Sequence, residues 1–114
     1  MEFEEIKKAV KEIRLDTLRL DSDTNFEAVI VKEEMDKLIA LLEGFFGSAA
    51  FPSKNRLPLQ IYESINAFGG IMPGQTLYYS SRGNDAIFAM LWPWQDGQHT
   101  TVKIIKTGKI GDEK

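Results

Sequence analysis

The chain has 114 residues, which is one domain's worth of material; 43% of it is hydrophobic and 11% aromatic, so it can bury a core and is not intrinsically disordered. It contains no cysteine, which excludes a disulfide framework, a thiolate metal site and a cysteine nucleophile. The formal net charge of −3 is unevenly spread. Met1 to Glu43 carries seven basic against twelve acidic residues, whereas Gly44 to Lys109 carries six basic against three acidic. No apolar run approaches the roughly 18 residues needed to span a bilayer, and the charged start Met1 to Lys11 is unlike a signal peptide. The expectation is a cytoplasmic protein with no membrane association.

Phe3, Ile6, Val10 and Ile13 recur at spacings of three and four among charges, which predicts an amphipathic helix over Glu2 to Ile13. Arg14 to Leu20 fits either a continued helix or a strand, and Asp21-Ser22-Asp23-Thr24-Asn25 ends it as a turn. Phe26 to Val31 reads as a strand, able to pair with Arg14 to Leu20 as a hairpin. Lys32 to Phe46 reads as a helix stopped near Gly47. A single helix through both segments would set Phe26, Val29 and Ile30 opposite Leu38 and Leu42, although the Thr24 to Glu27 spacing of a capping box keeps that alternative open. Pro52 to Pro58 forms a connecting loop, and a short helix follows Pro58, closed by Gly69-Gly70.

Three strands come next, Gln75 to Ser80, Ala86 to Trp94 and Thr100 to Lys106. The turns between them carry Gly and Asp, so the run is an antiparallel meander: a parallel crossover would need a dozen or more connecting residues. The expected fold class is α+β, an antiparallel sheet of three to five strands packed by two longer helices and one short helix. Residues 1–106 form one domain, and 107–114 a flexible tail.

Residues able to carry chemistry are sparse. Asp21, Asp23, Asn25 and Glu27 imitate the start of a calcium loop, but Phe26 stands where that loop needs glycine and Lys32 where it needs a bidentate acid. The stretch Gly69 to Gly74 lacks both the dinucleotide fingerprint and the lysine of a phosphate loop. His99 is the sole histidine, so no multi-histidine metal site can form, and alternation along its strand groups it with Thr101 and Lys103. Scattered bases in a chain of pI about 5.2 make nucleic acid an unexpected partner. No metal and no cofactor are expected.

Ala86 to Trp92 is apolar at every position, so both faces of that strand need cover, from the domain's own helices or from another chain. Tyr78, Tyr79, Arg82, Trp92, Trp94 and His99 are accordingly the candidate binding residues. The leading expectation is a non-catalytic interaction or regulatory module that meets a protein partner or a second copy of itself through this aromatic surface, together with the Gly69 to Gly74 loop. The alternative is a small-molecule-binding domain or small enzyme whose pocket these aromatics line.

Overall fold

The computed structural model of the chain describes residues 2–51, 63, 65–66, 74–82 and 85–108. The first helix, α1, spans Glu2–Lys11 and buries Phe3, Ile6 and Val10. It ends two residues before Ile13, because the last turn tightens: the Glu12 and Ile13 amides donate three residues back, to Ala9 and Val10. The ambiguous segment is a strand, β1 (Leu15–Asp21), joined by a tight turn to β2 (Asn25–Val31). In that turn the Ser22 hydroxyl oxygen accepts the Asn25 amide at 3.0 Å, and the Ser22 amide donates to the Asn25 carbonyl at 2.8 Å. The capping-box spacing at Thr24 is thus overridden by strand pairing.

A single 3-10 turn, Lys32–Glu34, leads into α2 (Met35–Phe46). Gly47 stops α2 with φ of +79°, a conformation that costs a residue with a Cβ but not glycine, while its amide caps the Glu43 carbonyl at 2.9 Å. The short helix expected after Pro58 lies outside the described residues, except that Glu63, Ile65 and Asn66 have helical backbone. Among the described residues there are therefore two helices. The Gly69 to Gly74 loop lies outside them too, save Gly74.

Strands β3 (Thr76–Arg82), β4 (Asp85–Pro93) and β5 (His99–Gly108) form the expected meander. The sheet has five strands in the order β1-β2-β5-β4-β3, antiparallel throughout, because β2 docks on the free side of β5. β5 runs through Thr107 to Gly108, since both pair with β4 there, opposite Ala86 and Asp85. The remainder of the expected tail lies outside the described residues. No helix among the described residues is long and apolar enough to cross a membrane.

Both helices contribute to the core on one face of the sheet. Phe3, Ile6, Val10, Leu38 and Leu42 pack there with Phe26, Ala28, Ile30, Tyr78, Ile87, Ala89, Leu91, Val102 and Ile104. The opposite face carries a second core of Ile65, Leu77, Phe88, Met90 and Ile105, with Ala50, Phe51, Tyr79 and Trp92 packed on it. Phe51 is held by a bridge to Leu77 on the outer side of β3. Strand β4 is therefore apolar on both sides for an internal reason: residues 86–91 are all buried within the chain. Burying side chains the size of Phe88 and Met90 stabilises the fold by about 1.5 to 3 kcal/mol each.

Candidate functional site

The β4–β5 turn is built by its own polar groups. The Gly97 amide donates to the Trp94 carbonyl at 3.2 Å, Gly97 adopts φ of +70°, and the Trp94 amide donates to the His99 carbonyl at 2.8 Å. Asp96 fastens the turn from inside: its Oδ1 accepts the amides of Gln98 at 2.8 Å and His99 at 3.1 Å, and its Oδ2 lies 2.6 Å from His99 Nδ1. The Gln98 amide, then the His99 ring, hold the Asp96 carboxyl below its ordinary value. The Gln98 carbonyl in turn accepts the Lys32 amide at 2.8 Å, tying the turn to the start of the 3-10 turn.

Above this turn the Trp94 indole lies across the face of the sheet opposite the helices. Its Nε1 donates to Thr101 Oγ1 at 2.9 Å, its ring stacks on His99 with centroids 4.8 Å apart, and the Arg19 guanidinium lies 5.7 Å from the ring centroid. Arg19 also reaches Glu27 at 3.4 Å. Farther along the same face, the Lys103 ammonium sits 5.3 Å from the centre of the Trp92 ring. Trp94 remains 37% exposed, and Leu18 and Leu20, on either side of Arg19 in β1, are 48% and 44% exposed. These are the large apolar side chains left at the surface among the described residues.

The six candidates are divided by the sheet. Tyr79, Trp92, Trp94 and His99 belong to the face away from the helices, Tyr79 stacking on Phe88 at 5.1 Å. Tyr78 points the other way into the helix-side core, against Phe46 at 5.8 Å. Burial first, and the nearby Glu43 carboxylate second, push the Tyr78 hydroxyl up from its ordinary value. Arg82 ends β3, its backbone opposite Asp85. Trp92 is half-buried, and its indole Nε1 is buried without a hydrogen-bond partner among the described residues. A pocket walled by both tyrosines and both tryptophans does not form, because Tyr78 and Tyr79 face opposite sides. A cleft of about 570 Å³ does exist, but Arg14, Leu15, Asp16, Val31, Glu33 and Glu34 line it, with no aromatic among them.

Two of the residues around Trp94 escape sequence reasoning in different ways. Asp96, three residues before His99 and followed by glycine, carries a readable turn signal that places a carboxylate beside the imidazole. Arg19 carries none, because it reaches Trp94 only once β2 and β5 have paired. Chemically, the His99–Asp96 pair orients an imidazole. Its ring makes no hydrogen bond to a hydroxyl among the described residues, so no activated nucleophile results. No group of three or more His, Asp or Glu side chains among the described residues could hold a metal ion.

The Asp21 carboxylate, which opened the apparent calcium loop, has a structural task instead. It accepts Lys7 Nζ at 2.8 Å and Lys11 Nζ at 2.6 Å, while Lys7 also donates to the Ser22 carbonyl at 2.8 Å. Comparison of the chain with protein-family models, with curated proteins and with solved structures finds no significant match.

Proposed function

We propose that this protein is a non-catalytic interaction module whose contact surface is the Trp94 end of the sheet, with β1 beside it. The observation that carries this reading is the exposed Trp94 with the Arg19 guanidinium over its ring and the exposed Leu20 on the same face of the sheet, whereas Leu18, paired with Ala28, is turned to the helix side. Trp and Arg are the side chains most enriched where binding energy concentrates at protein interfaces. The indole is already fixed by Thr101 and His99, so little side-chain entropy is lost when a partner covers it. The doubly apolar strand β4, which suggested a partner from sequence, lends no support, since the chain covers it internally.

The partner is a second copy of the chain or another protein, and sedimentation over a hundredfold concentration range tests the first. The wild type is expected to associate as concentration rises. Trp94→Asp is expected to shift association to at least about tenfold higher concentration, because it forces a charge into the contact, beyond the cost to the monomer of losing the Thr101 hydrogen bond and the His99 stack, which thermal melting of the dilute variant reads separately. A wild type and variant that are both monomeric throughout, with a metabolite raising the thermal midpoint, would replace this reading with that of a ligand-binding domain.

A further inference from the structure

We propose that one proton on His99 regulates the Trp94 surface: while the imidazole is neutral the Arg19 guanidinium caps the indole, and once it is charged the guanidinium leaves and the indole is uncovered. This rests on the interaction-module reading for its consequence alone; the proton-driven exchange is a property of the single chain.

The imidazole is placed to take up a proton. His99 is the sole histidine of the chain, and histidine is the side chain whose ordinary charge change falls between about pH 5 and 8. Its side chain is 28% exposed, so water reaches it. Nδ1 lies 2.6 Å from Asp96 Oδ2 and, facing a carboxylate that can only accept, carries the proton of the neutral ring. Nε2 makes no hydrogen bond among the described residues, so its lone pair takes the second proton without breaking an existing bond.

That charge arrives beside a ring that already holds a cation. The His99 and Trp94 rings have centroids 4.8 Å apart, and Arg19 Cζ lies 5.7 Å from the indole centre. A charged His99 therefore puts two cations within about 6 Å of one indole, where each weakens the other's hold by direct repulsion. The two are unequally anchored. His99 is fixed by its place in the turn and by Asp96, and its attraction to that carboxylate strengthens on protonation. Arg19 is the extra residue where β1 shifts register between Leu18 and Leu20; its side chain is 46% exposed, and Glu27 meets it at 3.4 Å, longer than a good hydrogen bond. Arg19 is accordingly the one that yields.

The other charges near the imidazole do not reverse this. Val31 of β2 lies opposite His99 and brings none, and the exposed Lys32 that follows it is a cation. Lys103, farther along β5, sits over Trp92 with Glu27 across from it. Asp96 is the carboxylate in contact with the ring, and the Gln98 amide, then the ring itself, hold it below its ordinary value, so it stays ionised wherever histidine titrates. In acid a partner meets an uncovered indole beside an imidazolium, and covering that charge costs association.

NMR of the dilute full chain follows both ends of the exchange in one sample. As the pH falls from about 8 to 5.5 the His99 ring resonances titrate, and nuclear Overhauser contacts between the Arg19 side chain and the Trp94 ring are expected to weaken severalfold with the same midpoint. In His99→Gln, which keeps a planar uncharged side chain, those contacts should persist unchanged. Contacts that hold while the imidazole titrates, or that are lost equally in His99→Gln, overturn the proposal. Sedimentation at the same two pH values reads the consequence: wild-type association should weaken severalfold in acid, and that of His99→Gln should not. An equal fall in both proteins overturns the regulation. If the Arg19 contacts respond as expected in a chain that is monomeric at both values, the proton-driven exchange stands and the second copy falls as the partner.

Discussion

Trp92 and Trp94 are separated by one proline and differ in what their indoles meet. Trp94 Nε1 has Thr101 as acceptor, whereas Trp92 Nε1 is buried without one among the described residues. An unpaired buried donor costs about 1 to 3 kcal/mol, a penalty that phenylalanine does not carry. Trp92→Phe is therefore expected to change stability by less than about 1 kcal/mol, the lost apolar contact being offset by the removed donor. Trp92→Ala, which also empties the volume under Lys103, should cost about 2 to 4 kcal/mol, less than for a fully buried tryptophan. Urea unfolding of the two variants checks this, and a Phe variant as damaged as the Ala variant would contradict it. His99→Ala should leave the fold in place and loosen the turn, read as faster amide exchange at Gln98 and His99, since Asp96 keeps its backbone partners but loses the ring.

At the scale of elements, α1 is fastened to the β1–β2 hairpin by a buried lysine. Lys7 is 5% exposed, and Asp21, Ser22 and Glu4 surround its ammonium. The hydrogen bond to Asp21 is the largest influence raising Lys7 above 10.5, and Lys11 followed by Lys7 lowers Asp21 below 3.8. The signs set opposite limits. The Asp21 contribution is fully present above about pH 3.8 and is lost as pH falls through its lower folded value; that of Lys7 is fully present below about 10.5 and is lost as pH rises through its higher one. Asp21→Ala should cost about 1 to 2 kcal/mol at neutral pH, discounted because the carboxylate is partly exposed. In the variant, the acid-side fall in the thermal midpoint should flatten, while wild type loses stability below pH 4. Identical acid profiles would show that the pair does not hold α1.

For the whole molecule, association is the property in question, and the Trp94 variant reads it. The α+β class, the meander and the strand and helix following Asn25 were legible in the sequence, because each is dictated by local periodicity and turn chemistry: alternation at Thr100 to Lys106, the three-four spacing at Leu38 and Leu42, glycine at Gly47 and Gly97. Arg14 to Leu20 was not legible, since its spacing satisfies two periods and only pairing with β2 separates them. Nor was the site. Tyr78 and Tyr79 part company because adjacent strand residues face opposite sides, but which side the helices cover is a tertiary matter. The unbroken apolar run of β4 already required cover on both of its faces. That the chain supplies both covers, and that an exposed aromatic surface lies instead where β1, two strands away from β5, brings Arg19 to Trp94, emerged with the three-dimensional fold, because docking of β2 on β5 is a non-local pairing that no local pattern encodes.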